Sequence, residues 1–258
     1  MSASTRMPAI FFGHGSPMNA LEDNRYTEAW YALAQRFPRP KAILAVSAHW
    51  TTRGTAVTAM NTPQTIHDFG GFPQALFDVR YPAPGDPALA ERIAALLSPL
   101  PIFLDQQWGL DHGTWSVLVK AYPAADIPVL QLSLDVTQPT AFHFELGRKL
   151  AALREEGVMV IGSGNVVHNL RRMDGQSAGY DWAVRFNEEI KQAMLENDFD
   201  VVVNYTDLGQ DAALSVPTSE HFLPLLYVLG AKTGDDQLEV TTEGMELGSI
   251  SMMSVVVS

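Results

Sequence analysis

Apolar runs with no polar face recur along this chain and alternate with stretches spaced like helices. Residues 8–12 (PAIFF), 42–47 (AILAVS), 55–60 (TAVTAM), 127–134 (IPVLQLSL), VMVIGSG from Val158 and FDVVVNY from Phe199 read as buried strands. The run SISMMSVVVS over 249–258 would close or edge the same sheet. Strands apolar on both faces need cover on both faces, which layered α/β architectures supply. Helices are predicted over 24–36, 86–97, 115–121, 139–155, 180–196 and 219–229. Asp86 before Pro87 gives one of them an N-cap followed by a first-turn proline. The expected fold is a single α/β domain over residues 1–258, with a central mostly parallel or mixed sheet flanked by helices. A chain of 258 residues is long enough to bury one large core.

Charge and composition remove several function classes. The net charge is −12 and only 17 Lys and Arg are spread along the chain, so neither nucleic acid nor an anionic membrane is an expected partner. There is no cysteine, which excludes disulfides and thiolate metal sites and leaves His, Asp and Glu as metal ligands. The first fifteen residues carry one Arg and too short an apolar stretch for a secretion signal, and no segment approaches a membrane span of roughly 20 apolar residues. A cytoplasmic protein is expected. The Pro- and Gly-rich span 61–85 is the longest irregular region, and loops of that length usually serve the site.

The histidines carry the chemistry. His14 in FFGHG, His49 in VSAHW and His168 in GSGNVVHNL each follow a predicted strand. In a parallel sheet those ends share one edge, where open α/β sheets keep their ligands. His112 lies in GLDHGTW just before a helix, and His221 in the first turn of the helix opened by PTSEH. One such residue would read as a structural histidine bonded to a carbonyl; a set of them at one edge reads as a metal site. Nitrogen ligands, alone or with a carboxylate, suit Zn or non-haem Fe(II). His143 opens an H-x-E pair but falls within a predicted helix, where i and i+2 diverge, and is read as structural. His67, in TIHDFGGFP, is read as lining the site.

Other motifs are lacking. GSGN at Gly162 has Val167 where a dinucleotide fingerprint needs its third glycine, and there is no Walker A, H-E-x-x-H or G-x-S-x-G sequence. Six blocks in order do resemble a known family: GHGSP at Gly13, SAHW at Ser47, TIHDFGGFPQALFDVRYPAPGDP from Thr65, GLDHGTWSVLVKAYPAADIPVLQLSL from Gly109, GSGNVVHNLR from Gly162 and PTSEHFLPLLYVLGA from Pro217. They are similar to the DOPA 4,5-dioxygenase branch of the class III extradiol ring-cleaving dioxygenases, related to the catalytic subunit of protocatechuate 4,5-dioxygenase.

That resemblance implies one divalent metal per chain at the carboxyl ends of the strands. It implies His14 and His49 as ligands and His221 as the third, where the protocatechuate relatives have a glutamate. His168 matches an acid/base histidine and is also a candidate fourth ligand; His112 matches a histidine on the substrate's side of the pocket and a second proton-transfer group. Zn(2+) is expected in the resting protein and Fe(II) for turnover. The implied partners are a small aromatic diol such as L-DOPA and O2, opened to a muconic semialdehyde type product. Asp68 and Asp111 are candidate partners for the DOPA amine, with His67 beside them. Trp50, Phe69, Phe72, Trp115 and Tyr205 are candidate pocket walls. A monomer or small homo-oligomer is expected. Ligand chemistry alone leaves two alternatives open: a zinc hydrolase of a small ester or amide, and a non-catalytic metal-containing binding protein of the same fold.

Overall fold

In the computed structural model, which describes residues 6–175 and 178–258, the first apolar run forms β1 (Ala9–Gly13). Helix α1 (Arg25–Gln35) follows, opened by a capping box between Asn24 and Thr27. Then come β2 (Ala42–Thr52), β3 (Thr55–Thr58), β4 (Gln64–Thr65), α2 (Gln74–Phe77), α3 (Pro87–Leu97), β5 (Ile102–Asp105) and β6 (Gly109–Leu110). The middle of the chain gives α4 (His112–Ala121), β7 (Val129–Asp135), α5 (Thr140–Glu155) and β8 (Val158–Gly164). The remainder is α6 (Asp181–Leu195), α7 (Phe199–Val203), α8 (Gln210–Ser215), α9 (Leu223–Gly230), β9 (Leu238–Thr242), β10 (Met245–Glu246), β11 (Ile250–Ser251) and β12 (Ser254–Val257).

Eight strands form a mixed sheet in the order β5-β3-β7-β2-β8-β1-β12-β9. The four at its centre, β7, β2, β8 and β1, are mutually parallel, and antiparallel pairings join β3 to β7 and β12 to β1 and β9. Side chains alternate along each strand between two cores. Phe11, Leu44 and Val160 face α3, α5, α6 and α9, while Ile10, Phe12, Ile43 and Met159 face α1 and α4. This two-sided burial is why the runs lack a polar face.

Register sets the site's height. Gly13 pairs with Gly164, and Ser163 pairs with both Phe12 and Ser47, so β1 and β8 end level with each other and with Ser47, where β2 leaves its pairing with β8. Glycines let α9 and the turn before it lie directly on β8: a Cβ at Gly162 would meet Pro224 O at 2.5 Å and one at Gly164 would meet His221 O at 2.1 Å. The GSG sequence is therefore a helix-packing surface.

Several expectations need correction. FDVVVNY is not a strand: Phe199, Val202 and Val203 are spaced for one helical face, and α7 packs them against the α5 and α9 layer, so tertiary contact overrides β propensity. The run 249–258 is split by Met252 and Met253 into β11 and β12, which belong to different sheets. The helix expected at 115 begins at His112, because the Asp111 carboxylate accepts from Thr114 N–H and caps it. The helix expected over 219–229 is a 3-10 turn, Ser219–His221, leading into α9. Among the described residues no helix is long and apolar enough to cross a membrane; residues 1–5 of the segment read for a secretion signal lie outside them.

Candidate metal centre

His14 leaves β1 between two glycines, with its backbone N–H on Gly164 O and its carbonyl accepting from Asn19. Its ring is buried, and its tautomer is fixed by one hydroxyl. Ser163 Oγ donates its single proton to Gly113 O at 2.5 Å, so it accepts from His14 Nδ1 at 3.0 Å. The Nε2 lone pair of His14 is thereby left open.

His49 lies inside β2, not beyond it. The pairing of β2 with β7 slips between Val46 and Thr51, which meet Leu132 and Leu134, so residues 47–50 bulge out of the ladder. Bulges of this kind re-aim side chains beside sites. The His49 ring turns toward His14, with the two Nε2 atoms 3.3 Å apart, and its Nδ1 faces Asp68 Oδ2 at 3.5 Å.

His112 is the first residue of α4. Its backbone N–H donates to Asp68 Oδ1 at 2.9 Å, and its Nδ1 lies 3.0 Å from the same oxygen on a bent approach that makes no well-directed hydrogen bond. The ring centroids of His49 and His112 are 3.8 Å apart. A Cβ on Gly113 would strike Ser47 Oγ and His49 Cδ2, so this glycine admits the close approach of α4 to the bulge. His14, His49 and His112 each offer a ligand atom within 4.8 Å of the others, the metal-competent group among the described residues.

His221 sits in the 3-10 turn before α9, its ring centroid 5.6 Å from that of His14 and 5.0 Å from that of His49. His168 stacks on His221 with centroids 3.4 Å apart and planes 7° from parallel. The structure thus brings five of the seven histidines together. It differs from the expected grouping in placing His112 with His14 and His49 in the tight set, while His168 and His221 form a stacked pair beside them.

Electrostatics keep His14, His49, His168 and His221 neutral. Burial, then the neighbouring imidazoles, push His14 and His221 well below the ordinary histidine value. Burial and His112 lower His49 to about 4 against the opposing pull of Asp111 and Asp68, and burial with His49 lowers His168 to about 4. A metal needs neutral imidazole. His14 and His49 therefore face each other with two open lone pairs at 3.3 Å, an arrangement that a shared cation satisfies. Two nitrogens each about 2.0–2.1 Å from one tetrahedral ion would be about 3.3–3.4 Å apart, so the donor set fits.

The other expected residues separate. Asp111 is fully buried, and its oxygens accept from Ser47 Oγ, Gln131 Nε2 and Thr114 N–H. It braces the bulge and caps α4, and has no face left for a substrate amine. His67 holds its loop by donating Nε2–H to Val79 O, and its ring packs on Phe69, Phe77 and Trp115. Phe69 reaches the histidines, its ring edge-on to His112 at 5.4 Å. Trp115 is buried and donates to Ile66 O, while Trp50 stacks on Trp108 at 5.6 Å. Tyr205 packs on Phe222 in the core. His143 is buried, with Nδ1 on the Tyr227 hydroxyl, as a structural histidine would be. Sequence reasoning missed Ser163 and Ser47. Their only signal was a hydroxyl at a strand's end, which acquires meaning once β1, β2 and β8 are in register.

Level strand ends that present neutral imidazoles to a shared point, on a sheet covered on both faces, match a recognised class. Residues 8–258 match the family described as the catalytic LigB subunit of aromatic ring-opening dioxygenase. The protein is a metal-dependent extradiol dioxygenase by class. More particularly, the chain belongs to the LigB family, whose members use a divalent metal, an aromatic substrate and O2. It is 59% identical to a 4,5-DOPA dioxygenase extradiol of Escherichia coli K12, over 98% of this chain and 95% of that one. A 4,5-DOPA dioxygenase extradiol of Beta vulgaris is 36% identical over 94% and 93% of the two chains. A crystal structure of an uncharacterized protein from E. coli K12 superposes with a TM-score of 0.87 at 53% identity, covering 98% of this chain and all of that one.

Proposed function

We propose that the protein opens a catechol of the L-DOPA type by extradiol cleavage to a muconic semialdehyde type product, with Fe(II) in turnover and Zn(2+) as a resting occupant. The observation that carries this reading is the His14–His49 pair, two neutral imidazoles whose Nε2 atoms converge while Ser163 and Asp68 face the Nδ1 positions. His14 and His49 would hold the metal, with His221 as the third ligand and His168, stacked on His221, as a fourth in the resting state. All-nitrogen ligation suits both Fe(II) and Zn. A bound Fe(II) supplies the means to bring an electron-rich ring and O2 together.

The chain's own residues do the rest. A catechol hydroxyl ionises poorly at neutral pH, so a neutral imidazole must take its proton and later return one. His168, stacked against His221, and His112, on the other flank of the cluster, are placed for this work. Phe69, edge-on to His112, offers an apolar wall to the ring. The 59% identity to a protein named for DOPA supports that substrate.

Oxygen uptake tests the reading. Protein stripped of metal and reconstituted anaerobically with Fe(II) should consume O2 with L-DOPA and form a yellow product in equal amount, and zinc-loaded protein should not. No uptake with L-DOPA, alongside turnover of simpler catechols, would refute the substrate; no uptake with any catechol would refute ring cleavage.

A further inference from the structure

Asp68 stands in the loop between β4 and α2, and the surrounding hydrogen bonds leave it little choice of position. Ile66 is tied on both sides, its N–H to Leu110 O and its carbonyl to Trp115 Nε1, and His67 is held by Val79 O. The next residue is therefore delivered over the cluster, with its side chain 19% exposed. Oδ1 takes the backbone N–H of His112 and lies 3.0 Å from His112 Nδ1, and Oδ2 lies 3.5 Å from His49 Nδ1. No other acceptor among the described residues takes His112 Nδ1.

We propose that Asp68 is a positioning residue, one carboxylate bridging His49 and His112 from outside the cluster so that both rings carry their proton on Nδ1 and present Nε2 to the metal and substrate. A neutral imidazole has one N–H and one lone pair, and an anion beside Nδ1 selects the Nδ1–H tautomer. Carboxylates that orient metal-bound histidines in this way typically change metal affinity or activity 10–100-fold when removed. His14 receives the equivalent service from Ser163, but Asp68 serves two rings at once and adds negative charge beside a cation. The assignment also replaces the substrate-amine role expected for Asp68, since both oxygens already face ring nitrogens.

The inference rests on the cluster being the metal centre, and the test separates the two. Zinc affinity of the apo protein is measured by competition with a chromophoric chelator, for the parent, Asp68→Asn and Asp68→Glu. Visible spectra are recorded for the Co(II)-loaded forms, and urea unfolding for the apo forms. Asp68→Asn keeps the shape but offers one acceptor oxygen and turns an NH2 toward the other ring. We expect it to bind zinc at least about tenfold more weakly and to alter the cobalt bands, with the apo unfolding midpoint close to the parent's. Asp68→Glu, which keeps the charge one methylene further out, should recover part of the affinity. Zinc affinity within twofold of the parent in both variants would overturn the proposal, and a raised KM for L-DOPA in the same variants would return Asp68 to the substrate. A loss of affinity that only tracks lost apo stability would also overturn it. A parent protein that takes up no zinc at this cluster would overturn the metal-centre reading itself.

Discussion

Replacing Ser163 by Ala removes one oxygen atom and opens no cavity beyond it, so its cost comes from two buried groups. The Ser163 hydroxyl accepts from His14 Nδ1 and donates to Gly113 O, all within fully buried surroundings. Without it the Gly113 carbonyl loses this partner and His14 Nδ1–H loses its acceptor. An unsatisfied buried polar group costs about 1–3 kcal/mol. His14 can escape part of its share by moving the proton to Nε2, so the apo protein should lose about 2–4 kcal/mol. That escape has a second effect, because a proton on Nε2 occupies the direction in which His49 and the metal lie. Giving up a hydrogen bond worth about 1 kcal/mol toward the correct tautomer should weaken metal binding roughly fivefold. The assay is urea unfolding of the apo protein together with zinc competition. Ser116→Ala is the control: its hydroxyl lies in α4, the helix that holds Gly113, is equally buried and has no hydrogen-bond partner among the described residues, so its loss should be neutral or slightly stabilising. If Ser163→Ala were no more destabilising than Ser116→Ala and bound zinc as the parent does, the tautomer argument would be wrong.

Two further substitutions probe the frame. Gly164→Ala sets a Cβ 2.1 Å from His221 O, a clash of backbone with backbone, and should cost about 1–3 kcal/mol while displacing the turn that carries His221; Gly234→Ala, where nothing lies within 4 Å, should leave metal uptake unchanged, and equal behaviour of the pair in thermal unfolding would reject the packing account. Asp236→Asn leaves the fully buried Arg154 guanidinium without its carboxylate and should cost about 3–5 kcal/mol. The same group sets an acid limit. Burial opposes its charge, but the Arg154 hydrogen bond and the Thr233 N–H hold Asp236 down at about 2, so the unfolded chain takes up the proton first. The stability it contributes is present above about pH 4 and is lost as pH falls toward 2, and urea midpoints for parent and Asp236→Asn should converge over that interval.

The central sheet was legible because strands buried on two faces write themselves as unbroken apolar runs, and the histidines at their ends pointed to one edge. FDVVVNY was illegible by the same rule, since a short β-branched run reads alike whether it joins a sheet or turns once against a helix layer. The bulge at 47–50 could not be read either. A slip of register leaves no mark in the sequence of the strand that makes it, yet it decides where His49 points. Likewise the resemblance of short blocks named histidines but could not show that His112 joins His14 and His49 in one group of ligand atoms, which depends on the Asp111 cap starting α4 three residues earlier than expected. Asp111 itself looked like a ligand for an amine because an aspartate beside a histidine has the same letters whether it faces solvent or a glutamine.

The place of β12 in the sheet bears on how the protein comes to exist at all. Gly13 N–H reaches Ser254 Oγ across 241 residues of chain, and β1 is flanked by β8 and β12, both far downstream of it. During synthesis at about 5–20 residues per second, β1 therefore waits on the order of ten seconds or more before its second neighbour emerges. Through that interval a wholly apolar strand, the one that will deliver His14, has an open edge that other chains can pair with. Newly made protein is accordingly most exposed to aggregation before β12 closes over β1.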